Sequence, residues 1–167
     1  MKIVVCDSNI FIDLLQTDLL PAYLNLGYEN HAPPGVVGEV REQNRQMLID
    51  AIETGQILIP IIENLDEIGK LKNQYSPLSF QDCACLFMAI KLNAMLLTGE
   101  KPLKRVAEEK YSLEVHGTLY IFDELLEAEL ITFHMAHKKL SRLIANGTYL
   151  PSNECQKRLK RWIRRFK

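Results

Sequence analysis

Four carboxylates in this chain stand where chemistry is done. Lys2-Ile3-Val4-Val5-Cys6 is a short apolar, β-branched run that ends in Asp7, with Ser8 and Asn9 placed to start a helix. In an α/β protein the carboxyl end of a strand is where ligands bind, so Asp7 is expected at the mouth of a crevice. A charge at the end of an apolar strand is costly without a purpose. Glu39 sits between valines in Gly35-Val36-Val37-Gly38-Glu39-Val40, and Asp82 falls in the first turn of a helix opened by Ser79-Phe80-Gln81. Glu100 directly follows Leu96-Leu97-Thr98-Gly99, a second strand end. Carboxylates only accept hydrogen bonds, and several that converge repel one another strongly when dry. A hard divalent cation, Mg²⁺ or Mn²⁺, is the natural reason to collect them.

Each acid taken alone also has a plain structural role. Asp82 completes a capping box with Ser79, Glu100 is a helix-start acid ahead of Pro102 favoured by the helix dipole, and Glu39 is a solvated helix residue. Their common occurrence at strand ends and helix starts outweighs those readings. Asp13 and Asp123 lie in helix patterns and read as surface or capping acids. His134 and His137 share one helix face without an evident third ligand, so they read as a solvated or partner-facing pair.

The elements that must position these groups alternate. Strands are expected over Lys2–Cys6, Ile57–Ile62, Ala94–Thr98 and Leu113–Val115, with an extended stretch at His31–Pro34 ahead of the prolines. Helices are expected over about Asn9–Leu15, Asp18–Leu26, Val36–Val40, Asn44–Glu53, Asn64–Gln74, Ser79–Leu92 and Pro102–Glu109. Thr118 and Thr132 are expected to cap helices to about Glu129 and Ala145, and a last helix begins near Ser152. Strands alternating with helices argue for a mainly parallel sheet covered on both faces, an α/β sandwich with a helical C-terminal extension.

Size and charge narrow the function further. The chain has 167 residues, 47% of them hydrophobic, which suits one ordinary globular core. No apolar run approaches the roughly 20 residues of a membrane span. Only one Lys and a four-residue apolar run stand before Asp7, so no secretory leader is expected. Cys6, Cys83, Cys85 and Cys155 fit neither a disulfide framework nor a paired zinc-ligand pattern, and read as reduced thiols of a cytoplasmic protein. The net charge of -1 hides an asymmetry: residues 1–137 hold 10 Lys and Arg against 20 acids, and residues 138–167 hold 10 against one, Glu154. Nucleotide-motor, dinucleotide-enzyme and serine-hydrolase signatures lack their core residues.

The order of the acids resembles a family, the PIN-domain nucleases, including the VapC-like toxins of bacterial toxin–antitoxin pairs. The resemblance rests on Val-Val-Cys-Asp7-Ser-Asn9, Val-Val-Gly-Glu39-Val, Ser79-Phe-Gln-Asp82-Cys and Leu-Leu-Thr98-Gly-Glu100, spaced by 32, 43 and 18 residues. It covers roughly residues 1–130 as a PIN-like domain, a three-layer sandwich. Residues 131–167 then read as the C-terminal helical extension of the same domain, found in longer members of the family. The resemblance implies an acidic metal site of Asp7, Glu39, Asp82 and Glu100, with Ser8 or Asn9 as the small polar partner. The last acid is usually Asp in the family; Glu100 is one methylene longer, which bears on the strength of metal binding more than on the fold.

The implied chemistry is metal-assisted hydrolysis of an RNA phosphodiester, with Asp7 and Asp82 holding a Mg²⁺ or Mn²⁺ ion and Glu39 and Glu100 orienting its waters or a second ion. The implied partners are RNA, a small antitoxin protein and a second copy of the chain, with no membrane. In the tail, Leu159, Trp162, Ile163 and Phe166 make an apolar stripe expected to pack on the domain or a partner. Lys157, Arg158, Lys160, Arg161 and Arg165 crowd the rest of that helix and are expected to bind RNA phosphates, with docking on the acidic body as the alternative. A rival class is a PIN-like module that binds RNA or protein without cutting. A small-molecule phosphatase is a third.

Overall fold

Short parallel strands build the centre of this protein. The structure, a computed structural model, describes residues 1–166; residue 167, the last of the expected extension, lies outside the described residues. Among the described residues the strands are β1 (Ile3–Cys6), β2 (Glu29–His31), β3 (Ile57–Leu58), β4 (Met95–Leu97) and β5 (Val115–His116). All pair in parallel in the order β3-β2-β1-β4-β5. Val4 lies opposite Met95, Val5 opposite Leu96 and Cys6 opposite Leu97, so alternate side chains of β1 and β4 reinforce the same face.

The helices are α1 (Ser8–Gln16), α2 (Leu20–Leu24), α3 (Val36–Glu39), α4 (Arg45–Glu53), α5 (Leu65–Gln74), α6 (Phe80–Leu92), α7 (Lys101–Tyr111), α8 (Thr118–Glu127), α9 (Phe133–Ala145) and α10 (Ser152–Ile163), with a 3₁₀ turn at Glu42–Asn44. Val4, Cys6, Met95 and Leu97 pack on Phe11, Leu14, Ile121, Phe122 and Leu140, from α1, α8 and α9. Val5, Leu96 and Val115 face the other way, onto Ile68, Leu86, Leu103 and Ala107 of α5, α6 and α7. Parallel strands buried on both faces have to be apolar throughout, and β1 and β4 are. The chain runs outward from β1 through β2 to β3, then returns to place β4 on the other side of β1. The crevice beyond the carboxyl ends of β1 and β4 is therefore the topological switch point of the sheet.

Several boundaries differ from the sequence reading. β2 extends back to Glu29, and its buried Asn30 and His31 each find a partner on one side: Tyr23 Oη donates to Asn30 Oδ1 at 2.6 Å, and His31 Nε2 meets Glu29 Oε1 at 2.8 Å, His31 Nδ1 staying unpaired among the described residues. β3 keeps two of the six residues expected at Ile57–Ile62; Pro60 cannot donate to a ladder, and the chain leaves the sheet ahead of it. β5 falls on Val115–His116, starting two residues and ending one residue later than expected, in register with Leu96 and Leu97. Thr118 is the first residue of α8 rather than its cap, and Gly117 precedes it in extended geometry.

The tail completes the core. Trp162 is fully buried, its ring centroid 5.9 Å from that of Phe122, and Leu140, Leu143 and Cys155 belong to the same cluster as Val4. The rest of the apolar stripe is less covered: Ile163 and Phe166 stay partly exposed, and the Phe166 ring meets His134 and His137 edge-on at 5.2 and 5.4 Å. Arg158 locks the helix down, its guanidinium donating to Asp123 Oδ2 at 2.6 Å and to Glu154 Oε2 at 3.1 Å. Asp123, read from sequence as a surface acid, is the body's anchor for α10 and also accepts from Arg161 at 3.2 Å. Arg158→Ala is expected to cost about 1 kcal/mol, since Asp123 remains one-third exposed and water recovers part of the lost pairing. A urea midpoint unchanged from the parent would show the pair to be energetically idle.

The thiols follow burial. All four cysteines are free and buried, and burial pushes the Cys6 thiol up to about 12, so it stays protonated and unreactive.

Candidate active site

Each of the four acids is delivered by a local signal. Asp7 is the residue after β1 and the cap of α1; its backbone N–H donates to Leu97 O at 2.9 Å, tying it to β4. Glu100 precedes α7 in extended geometry, one turn past β4. Asp82 does complete a capping box, Ser79 N donating to its carboxylate at 2.7 Å while Asp82 N donates to Ser79 Oγ at 3.0 Å. Glu39 ends α3, a single turn begun by Gly35 at φ +90, where a side chain would be strained and would meet Gln81. Gln81 in turn donates to Pro34 O at 3.2 Å, pinning the α3 loop against the start of α6.

These elements bring all four carboxylates to one cleft of 280 Å³, lined by Asp7, Ser8, Asn9, Glu39, Ser79, Gln81, Asp82 and Glu100. Thr98, at the end of β4 and almost fully buried, organises its floor. Its hydroxyl donates to Asp7 Oδ2 at 2.9 Å and accepts from the backbone N–H of Glu100 at 3.0 Å, so one side chain orients both strand-end acids. Asn9 Nδ2 donates to Glu100 Oε1 at 2.6 Å, and Ser8 Oγ donates to Glu39 and, at 3.3 Å, to Asp7. The small polar residues after Asp7 thus hold the second and fourth acids in place.

The acids load this cleft with charge. Asp7 is pushed up to about 6, chiefly by burial, with the Asp82 and Glu100 charges adding to it and hydrogen bonds from the Thr98 hydroxyl and the Ser8 backbone N–H opposing. Oxygen-only donors, four of them formally anionic, are the chemistry a hard cation takes, and Asp7 has too little protein donor support to carry its charge cheaply. By donor type alone the set suits a hard divalent cation. Among the described residues no three acid, His or Cys side chains stand close enough to share one ion. Asp82, Glu39 and Glu100 are turned instead to Ser79 N, Ser8 Oγ and Asn9 Nδ2, hydrogen bonds that coordination would exchange.

Of the expected RNA-binding cations, four are on α10 and Arg165 follows its end; none lines the acid cleft, and three of them are engaged with carboxylates. Arg158 and Arg161 pair with Asp123, and Lys157 pairs with Glu154 at 3.0 Å. Lys160 and Arg165 stand exposed, Arg165 lying 5.5 Å from the Phe133 ring centroid. Two residues escaped the sequence reading. Thr98 signals itself only through its register beside Asp7, since a threonine after an apolar strand has no distinguishing pattern. Asp13, expected at the surface, is buried, accepts from Thr118 Oγ1 at 2.6 Å, and is pushed up to about 6 by that burial.

A family model described as a PIN domain matches residues 3–164, nearly the whole chain. No curated protein matches it.

Proposed function

This chain belongs to the PIN-domain family, and on that premise we propose that it is a Mg²⁺- or Mn²⁺-dependent endoribonuclease. The fold is of nuclease type. The observation that carries the reading is the convergence of Asp7, Glu39, Asp82 and Glu100 on one cleft at the switch point of the sheet, with the buried Asp7 at its floor.

Asp7 and Asp82 would hold the cation directly, and Glu39 and Glu100 would orient its waters or a second ion. When bound, the ion would neutralise charge developing on the phosphate and make an attacking water more acidic. The chain's own residues supply order. Thr98 fixes the Asp7 carboxylate and the Glu100 backbone, Ser8 holds Glu39, and Asn9 holds Glu100. Such fixed dipoles and charges spare the reaction reorganisation that free side chains would require.

The test is cleavage of labelled RNAs of differing sequence and structure, in Mn²⁺ and in EDTA. Cutting in Mn²⁺ that stops in EDTA is expected. A second reading, a PIN module that binds without cutting, is favoured by the hydrogen bonds that already occupy the carboxylates. It predicts RNA binding without cutting, and a melting temperature that saturating Mn²⁺ leaves unchanged.

The reading extends to partners. We infer a toxin held inactive by a small antitoxin protein, acting as a homodimer in the cytoplasm. Apolar side chains left exposed at Leu58, Ile61 and Leu65 support a protein partner, Ile61 being 90% exposed. Among the described residues no helix is long and apolar enough to cross a membrane.

A further inference from the structure

A larger groove of 870 Å³ runs from the acid cleft and shares Asn9 and Glu100 with it. Its walls are the start of α7, the β5–α8 junction and the connection between α9 and α10. Nothing in the metal site accounts for a groove of this size, or for what lines it.

Its surface has two kinds of group that suit one ligand. The first is aromatic. Tyr149, on the α9–α10 connection, is 73% exposed yet held in place: Lys101 Nζ donates to its hydroxyl at 2.7 Å and lies 4.9 Å from its ring centroid. Across the groove the His116 and Tyr120 rings stack 3.9 Å apart at 10°. The second is cationic. Lys101 and Lys104 stand at the start of α7, beside Glu100 and the scissile position the acids define. Of the other acids in the wall, Asp13 is capped by the Thr118 hydroxyl and buried, and Glu154 is paired with Lys157 and Arg158. Arg158 reaches the same groove with its charge already matched by Asp123 and Glu154.

We propose that this groove is the bed for single-stranded RNA on one side of the scissile phosphate, with an unpaired base on Tyr149 and the adjoining phosphates on Lys101 and Lys104. The inference rests on the nuclease reading only for where the scissile bond lies. Every base has a π-face, so stacking on tyrosine tolerates sequence, whereas a duplex hides its base faces and is excluded. The lysines of α7, rather than the arginines of α10, then carry the phosphate contacts. The connection between α9 and α10 becomes a substrate-binding element.

The experiment is fluorescence anisotropy of a twelve-nucleotide oligouridine with the full chain carrying Asp7→Asn, in EDTA, where nothing is cut. Adding Tyr149→Ala is expected to weaken binding about tenfold, and Tyr149→Phe to restore most of it, with melting temperatures unchanged because Tyr149 is exposed. Lys101→Ala with Lys104→Ala should flatten the slope of log affinity against log salt by about 1.4. A duplex of equal length should bind at least tenfold more weakly. The inference is overturned if Tyr149→Ala leaves affinity unchanged, if duplex and single strand bind alike, or if only Lys157→Ala, Lys160→Ala and Arg165→Ala weaken binding. Failure of the nuclease reading looks different: wild type cuts nothing in Mn²⁺, while binding still depends on Tyr149.

Discussion

Asp7→Asn is expected to do two opposite things: to end Mn²⁺-dependent RNA cleavage, and to stabilise the metal-free protein. The second effect follows from the cost of holding a charge at the end of β1. Burial and the neighbouring Asp82 and Glu100 push the Asp7 carboxyl up from 3.8 to about 6. At pH 8 the folded chain must carry an ionised group that it holds less favourably than the unfolded chain does. A carboxyl raised that far costs the folded state about 3 kcal/mol once it is ionised. Some of that returns as the cost of burying an amide, so a gain of about 2 kcal/mol is expected, or roughly 5 °C in melting temperature.

The sign of the pH dependence has the same origin. A carboxyl raised in the folded state contributes stability that is fully present below 3.8 and is lost as pH rises through about 6. Asp7 and Asp13 both do this, so Asp7→Asn removes one of the two contributions. Its advantage over wild type should be small at pH 4.5 and complete at pH 8 in EDTA. Asp18, Glu114 and Glu154 are held below their usual range by Lys and Arg partners, and their opposite contributions cancel in the comparison.

Metal should invert the order of the two proteins. An ion that binds only the folded state adds roughly 2.7 kcal/mol at a hundred times its dissociation constant. Wild type should gain this in saturating Mn²⁺ and Asp7→Asn should gain little. Thermal unfolding of both proteins in EDTA and in Mn²⁺ at pH 8 reads all of this in four curves. A variant less stable than wild type in EDTA would mean that Asp7 is a structural acceptor rather than a burdened charge. Persistent cleavage by the variant would remove Asp7 from the chemistry.

Trp162→Ala is the change with the largest expected cost. The side chain is fully buried in the same cluster as Val4, Leu97 and Phe122, although it lies close to the end of the chain. Truncating a buried tryptophan to alanine costs about 3–5 kcal/mol, or roughly 10 °C here. The indole nitrogen finds no partner within the described residues. Trp162→Phe keeps the ring against Phe122 and removes that unpaired donor, so it should lie within about 1.5 kcal/mol of wild type. Urea unfolding of both variants separates packing from the polar atom. If Trp162→Ala unfolds at the wild-type midpoint, α10 is an appendage whose removal leaves the domain intact.

Much of the candidate site could be read from residue order because its signals are local. An apolar run ending in Asp7, a Ser-x-x-Asp start at Ser79, and Leu-Leu-Thr-Gly before Glu100 each place an acid at the end or start of an element within a few residues. Strand ends of a parallel sheet share one edge, and the pairing of β1 with β4 brings the two strand-end acids together there. Where polarity and burial disagreed, local pattern failed. Glu29-Asn30-His31 shows no apolar alternation, yet it forms β2, with Tyr23 pairing Asn30 and Glu29 pairing His31 Nε2. Asp13 looks like a surface acid until Thr118, far along the chain, arrives to donate to it.

The sequence by itself determined the parallel α/β class, the element ends on which the four acids stand and the apolar stripe of the tail, since each depends on spacing along a strand or helix. Only the tertiary structure decided that Thr98 orients Asp7 and Glu100 together, that Arg158 is matched by Asp123, and that Tyr149 stands beside Lys101 at the head of a groove. Those pairings join residues distant in the chain. They depend on strand order and on where α10 docks, which no local pattern encodes.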